Sequence, residues 1–397
     1  MKEGQVIQRK GTARLLAQVA GNGEAEEAPD RVAILAESIQ TTPEDDSLAT
    51  ESSLLLNGET LEMMEYSRWL YIVLWPLMML YACWAVPKVW IYRLYLFLFH
   101  RPLIIEEVSE DARSKNRASM KEYGKRWLLG PQNALWLFDG HWLGKMVRNG
   151  VTTSEALDGI NAVPVLRLRG QLDSFGGRLV RFWLNQPDGQ SVRNRLRITY
   201  KEILKELCLL WERKPGQPIR VLSLACGSAQ ATVEALAMFL AAYSDAKGKI
   251  ELHLVDLSGS SLMRAIHLAK IRGVESHVFI HIKDVKSFVR EQPADRWDIV
   301  EMVGFLDYRP WKSAVGICRE IRRITRVNGL FISAHIGPNP WSFVVRWVIN
   351  WPLLIRRPIQ AYRQILLQAG FADREIAMHV EPHRIHPVGV CRKLEEF

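Results

Sequence analysis

The chain has 397 residues, 48% of them hydrophobic, and a formal net charge of +9. That length exceeds one average domain and can bury a sizeable core, so one catalytic domain with substantial N-terminal additions is the natural division. The five cysteines, Cys83, Cys208, Cys226, Cys318 and Cys391, are scattered and make no C-x-x-C pair; this excludes a disulfide framework or a zinc ribbon and points to a reducing compartment.

Charge is unevenly spread. Residues 1–60 hold 11 acids against five Lys or Arg, a net of −6, which leaves +15 on the remainder. A basic remainder favours anionic surfaces, nucleic acid or membrane, and the apolar segments that follow decide for the membrane. Residues 1–65 read as a disordered acidic extension carrying TTPEDDS, with room for a short helix over 31–39. No cleavable signal peptide is expected, because the first long apolar run begins near residue 69.

Residues 69–87, WLYIVLWPLMMLYACWAVP, contain no charge in 19 positions, enough for a helix to cross a hydrocarbon core of roughly 30 Å. Trp and Tyr cluster at its ends, and Arg68 and Lys88 flank it, as residues at headgroup level do. A buried helix inside a soluble cap is the competing reading. The next run, VWIYRLYLFLFHRPLII, is interrupted by Arg93, His100 and Arg101 and reads as an interfacial helix or the second arm of a hairpin. Residues 66–105 are therefore assigned to the membrane. Glu59, Glu62 and Glu65 precede the first run while Lys88, Arg93 and Arg101 follow it, so the positive-inside rule places the catalytic domain in the cytosol.

Residues 106–215 read as a helical cap ending in a long amphipathic helix with a Pro-Gly stop. Arg193 and Arg195 on that helix suit either a solvated surface or contact with an anionic group, and Asp173, Asn185 and Asp188 are equally open.

From residue 216 the pattern changes to alternating strand and helix. VLSLACGSAQ over 221–230 is an apolar run entering a turn of small residues, where Ala225, Gly227, Ser228 and Ala229 let a ligand approach the backbone. A helix over 231–243 then aims its first N–H groups and positive dipole end at that turn. ELHLVDLS over 251–258 is a second strand ending in Asp256, which can accept hydrogen bonds from two ribose hydroxyls. Strands over 277–282, 297–303 and 329–335, helices over 260–272 and 312–325, a helix ending at Gly370 and two strands near 375–380 and 387–393 complete an α/β doubly wound sheet.

These residues resemble the class I S-adenosylmethionine-dependent methyltransferases over residues 216–397. VLSLACGSAQ is similar to the first cofactor motif, LVDLS to the acidic second, IKDV to the third and WDIVEMVGFLDY to the fourth; LLQAGF and HPVGVCRKL are similar to the last helix end and to an antiparallel seventh strand. The resemblance implies a Rossmann-like seven-stranded sheet and S-adenosyl-L-methionine as cofactor. It places Gly227 beneath the methionine part, Asp256 at the ribose and Asp284 with the Val285 backbone at the adenine edge, and counts Ser223, Ala225, Cys226 and Leu257 among the cofactor-binding residues. This chain departs from the family by Ser223 where an acid is usual, with Glu234 or another carboxylate as the compensating charge, and by Ala225 and Ala229 where glycines are usual. A dinucleotide enzyme is the rival, but G-x-G-x-x-G is absent.

Methyl transfer needs a base only when the acceptor carries a proton. Asp307 and Tyr308 after the fourth strand and His335 after the fifth are the candidate catalytic residues, with His383 and His386 in the last loop; no metal ligands are assigned, and His277 and His281 read as strand residues. Residues 341–358, WSFVVRWVINWPLLIRRP, mix aromatic and basic side chains and suit either a substrate wall facing anionic lipid or plain packing against the cap. The expected function is methylation of a lipophilic small molecule (a quinone, lipid or isoprenoid-like acceptor) at a membrane, with no nucleic acid involved. The alternatives are transfer of the cofactor's aminocarboxypropyl group and a non-catalytic membrane protein with a degenerate fold.

Overall fold

A computed structural model describes residues 140–149, 153–214, 216–340 and 354–394, together with positions 76, 80, 83, 342, 345 and 351. The acidic extension, nearly all of 66–105, the stretch 106–139 and much of 341–353 lie outside the described residues. Of the 69–87 run only Pro76, Leu80 and Cys83 are described. Among the described residues, no helix is long and apolar enough to cross a membrane.

Among the described residues, four helices precede the sheet: α1 (Trp142–Asn149), α2 (Ser154–Leu168), α3 (Phe175–Leu184) and α4 (Pro187–Arg213). They share an apolar core that includes Leu143, Val147, Ile160, Leu166, Val180 and Leu184. Ser174 caps α3 by accepting from the Gly177 N–H at 3.1 Å. Pro187 opens α4, where its fixed φ suits the helix and its missing N–H loses no bond. The far half of α4 buries Ile203, Leu207 and Trp211 in the core of the sheet domain, so one helix joins both units.

The sheet comprises β1 (Ile219–Leu224), β2 (Ile250–Asp256), β3 (Val278–Ile282), β4 (Trp297–Met302), β5 (Thr325–Ala334), β6 (Ile376–His379) and β7 (Val388–Arg392). Helices α5 (Gln230–Ala242), α6 (Gly259–Ile271), α7 (Val285–Glu291), α8 (Trp311–Ile324) and α9 (Ile359–Gln368) connect them. The strand order is β3-β2-β1-β4-β5-β7-β6, parallel except for β7, which runs antiparallel to both neighbours. Strand β1 pairs with β2 on one side and β4 on the other, so the order reverses there and a crevice opens beyond the carboxyl ends of these strands. Central strands β1 and β4 are buried on both faces except at the half-buried Arg220, as expected of a sheet covered by helices on each side.

Boundaries depart from the expected ones mainly at β5, which begins at Thr325 and not at residue 329. Its pairing with β4 shifts register between Trp297 and Ile299, and Asn328 turns left-handed at φ 64°. Asn328 and Gly329, at the expected start of the strand, form an irregularity inside it.

Candidate active site

The turn after β1 is held by its own backbone. Ala225, Gly227 and Ala229 all adopt left-handed φ, at 49°, 57° and 51°. The two alanines stand where the family resemblance expects glycine, so each carries a steric cost of about 1–2 kcal/mol that a glycine would not. At Gly227 a Cβ would meet Ser154 Cβ at 3.3 Å, so the turn is small because α2 starts directly above it. Cys226 is a filler here: burial pushes its thiol well above the ordinary range, and Asp256 and Glu301 push it further.

Asp256 braces this turn from β2. Its Oδ2 accepts from the Gly227 N–H at 2.9 Å and its Oδ1 from the Ser258 N–H at 2.8 Å. Each carboxylate oxygen retains a lone pair for a further donor, as two ribose hydroxyls would supply. Ile282, paired with Asp256 at the end of β3, leaves 51% of its surface exposed and offers an apolar platform beside the carboxylate. Leu257 is half-buried on the same edge. Asp284 caps α7, its Oδ1 accepting from the Lys286 and Ser287 N–H groups at 2.9 and 3.1 Å, while Val285 is buried.

The acid absent at Ser223 is found one strand away, as the carboxyl of Glu301. Ser223 faces Glu301 across the β1–β4 pair and donates its hydroxyl proton to Glu301 Oε2. Glu301 Oε1 accepts from the Val303 N–H at 2.7 Å. Burial raises the Glu301 carboxyl to about 7, against the opposing pull of Ser223, Val303 and Arg195. Glu234, the candidate from sequence, is held elsewhere: it forms a 2.9 Å ion pair with Arg272. Two carboxylates, an exposed apolar edge and a turn that admits close approach fit an adenosine joined to an amino acid.

The cap closes on this edge. Ser154 and Ser261 share a hydroxyl hydrogen bond at 2.9 Å, and Ser228 Oγ donates to Asp158 Oδ1 at 2.6 Å. Arg264 reaches Glu155 and Asp158 at 3.5 and 3.7 Å. The start of α2 is thus tied to both the β1 turn and α6.

Beyond the end of β4 lies a cavity of about 700 Å³, open in part to solvent. Its walls are mostly apolar: Leu157, Ile160, Trp183 and Val192 from the cap, with Ile336, Val345, Trp351 and Leu354 from the segment after β5. The polar lining is Gln186, Asp188, Arg195, Asp307, Tyr308 and His386. Arg195 is 6% exposed, not a solvated surface residue, and its guanidinium packs against Gly304, where an added Cβ would meet Nη2 at an ordinary 3.5 Å; it is the left-handed φ of 83° that favours glycine there. Arg195 Nη1 stands 3.9 Å from Asp307 and 3.4 Å from His386 Nδ1. Because an arginine only donates, Nδ1 of His386 accepts. Burial, then Arg195, drives the His386 imidazole well below its ordinary range, so this ring is neutral.

Asp307 and His335 are neighbours, as both are buried where β4 and β5 end. His335 Nδ1 donates to Asp307 Oδ1 at 2.6 Å, and His335 Nε2 accepts from Arg357 Nη1 at 3.0 Å. Both ring nitrogens are therefore engaged, and His335 is absent from the cavity lining. Burial alone would raise Asp307, but His335 and Arg195 outweigh it and hold the carboxyl below its usual value. Tyr308 lines the cavity, its oxygen accepting from Trp351 Nε1 at 2.8 Å. Arg193 serves the cap: it donates to the Ile160 and Leu184 carbonyls and to Asn185 Oδ1. Asp173 stands on the exposed turn before α3, and its carbonyl accepts from Arg178 Nε at 2.8 Å. His383 follows Glu381, whose carboxylate takes its backbone N–H at 2.7 Å. His277 Nδ1 bonds the Ile250 carbonyl oxygen at 3.0 Å, and His281 stacks on His253.

The chain matches no protein-family model and no curated protein. Among solved structures it is similar to a possible exported protein from Bordetella parapertussis, 15% identical, with 73% of this chain and 100% of that one aligned at a TM-score of 0.51. A putative O-methyltransferase from Nostoc punctiforme aligns at 18% identity over 53% of this chain and 60% of its own, TM-score 0.37. A magnesium protoporphyrin IX methyltransferase from Synechocystis aligns at 12% over 51% and 83%, TM-score 0.35. The fold likeness rests on the first of these and on the strand order with its antiparallel seventh strand. The chain has the class I methyltransferase fold. At these identities the likeness extends to the fold alone.

Proposed function

We propose that the protein transfers a methyl group from S-adenosyl-L-methionine to a lipophilic small molecule. The observation that carries this reading is the continuity of two sites on one sheet edge: the Asp256-braced turn after β1, and the apolar cavity after β4, joined by Glu301, Gly304 and Arg195. The bound cofactor would supply an activated methyl on a sulfonium. Gly227, Asp256 and Leu257 would hold it at the methionine and ribose parts, Ile282, Asp284 and Val285 at the adenine, and Glu301 would supply the negative charge that Ser223 lacks. The cavity walls then hold the acceptor and exclude water, which is most of what this reaction asks of a protein.

The lipophilic acceptor is supported by Trp183, Trp351, Ile160 and Leu354 around the cavity, and membrane attachment by the uncharged run at 69–87 with a cytosolic catalytic domain. Calorimetric titration with S-adenosylhomocysteine tests the cofactor half: binding is expected in the full chain and lost in Asp256→Ala, and absence of binding in the full chain sinks it. Incubation of the full chain with lipid extracts and a labelled methyl donor, followed by mass spectrometry, tests the acceptor half. Label found only in water-soluble products would remove the lipophilic class, and release of methylthioadenosine would redirect the reading to aminocarboxypropyl transfer.

A further inference from the structure

The cavity's polar groups leave specific hydrogen-bonding valences open. Asp188 is 5% exposed in the first turn of α4, and its Oδ1 accepts from Asn339 Nδ2 at 3.3 Å with Arg356 at 3.9 Å. Its Oδ2 has no hydrogen-bond partner among the described residues. Gln186, 1% exposed and two residues earlier, donates through Nε2 to the Phe182 carbonyl at 3.1 Å and leaves Oε1 equally unmatched. Both residues line the cavity, and both open atoms are acceptors.

Buried acceptors without donors are uncommon in folded proteins because water has been removed from them and nothing returned. The missing partner is therefore a donor. An anion supplies none and is repelled by Asp188. Arg195, the one positive group of the lining among the described residues, already faces Asp307 and His386. An ammonium is disfavoured because Asp188 already has the Arg356 guanidinium 3.9 Å away and a second cation, Arg195, lines the same cavity, whose other walls include Trp183, Val192, Trp351 and Leu354. What fits is an apolar, aromatic body with a hydroxyl.

We infer that Asp188 and Gln186 form a hydroxyl-binding pair that selects a neutral, hydroxylated aromatic acceptor. This rests on the methyl-transfer reading only for the name acceptor; the pair and its ligand chemistry stand on the cavity. Burial raises the Asp188 carboxyl to about 6, with Arg356 and Asn339 pulling it down and Glu381 adding to the rise. At neutral pH it is a charged acceptor for the hydroxyl proton, and a hydrogen bond to a charged partner is the stronger kind.

The test is equilibrium dialysis of the full chain with three probes of one shape: 2-naphthol, naphthalene and 2-methoxynaphthalene. The expected result is a preference of about tenfold for 2-naphthol over both others, since only it donates. In Asp188→Leu and Gln186→Leu the preference should shrink to about twofold while naphthalene binding is retained. Equal binding of all three probes to the unaltered chain overturns the inference and needs no variant; so does a preference that survives in both variants, or no binding of 2-naphthol. S-adenosylhomocysteine titration is run in parallel: its failure would count against the methyl-transfer reading, and leaves the naphthol comparison intact.

Discussion

Ser223 at the end of β1 gives its hydroxyl proton to Glu301 on β4, so the acidic function displaced from one strand is found on the next. The two strands are paired in register at these residues, so the two side chains stand on the same face of the sheet.

A pH dependence follows. Glu301 is raised to about 7 by burial, so it is largely neutral at pH 6 and largely charged at pH 8. Affinity for S-adenosylmethionine, whose ammonium it would face, is expected to rise across that interval. In Glu301→Gln the rise should vanish and affinity at pH 8 should fall about tenfold, as loss of one charge-assisted contact implies. A slope unchanged in Glu301→Gln would show that the charge comes from elsewhere. For stability the sign is opposite: a carboxyl raised in the folded chain favours folding fully below its unfolded value near 4.5, and that contribution is lost as pH climbs through 7. It amounts to roughly 3 kcal/mol. Chemical denaturation at pH 5 and pH 8 should therefore give a flatter profile for Glu301→Gln than for the unaltered chain.

Ala225 stands at φ 49°, a conformation that glycine adopts without strain. Ala225→Gly should stabilise the folded chain by about 1 kcal/mol, raising Tm by roughly 2–4 °C. A lower Tm would mean that the Ala225 methyl contributes packing that outweighs the backbone strain.

Arg357 holds three groups at once: His335 Nε2 at 3.0 Å, the Arg309 carbonyl at 2.6 Å and, more distantly, the Leu306 carbonyl at 3.4 Å. Replacing it with Met strands a buried imidazole and two carbonyls. A loss of roughly 3 kcal/mol is expected by urea denaturation, in the range for breaking a buried polar network. A midpoint within experimental error of the unaltered chain would show that water fills the gap.

Arg193 and Arg195 are two residues apart and should separate cleanly. Arg193→Met removes the bonds to Ile160, Leu184 and Asn185 inside the cap and should lower stability by about 2 kcal/mol. Arg195→Met should instead reduce methyl incorporation into the lipid extract at least tenfold while S-adenosylhomocysteine binding holds, because Arg195 borders the cavity at Gly304. Equal behaviour of the two variants would refute the division.

Much of this was legible in the chain itself, for a physical reason. The turn at Ala225–Ala229 and the acid at Asp256 belong to one local strand–turn–helix–strand unit, where short-range pattern and structure coincide. The Ser223–Glu301 pair was not legible, since its members are 78 positions apart and only strand order brings them together. Arg195 and His386 meet across 191 positions, and a helix with arginines on several faces gives no sign of which one is buried. His335 was visible as a histidine ending a strand, yet Arg357, which occupies its second nitrogen, lies beyond a segment that showed only aromatic and basic composition.

The antiparallel β7 has a consequence for how the chain reaches its folded state. It sits between β5 and β6, yet it follows both in sequence, so neither has its neighbour until residues 388–392 are in place. During synthesis, β1 to β5 can assemble first, and the exposed edge of β5 must wait for a strand more than 50 residues downstream. His386, just before that strand, arrives with it. The cavity therefore gains its last wall in the same event that seals the sheet, and a ribosome-bound intermediate would present a raw strand edge but no finished binding chamber.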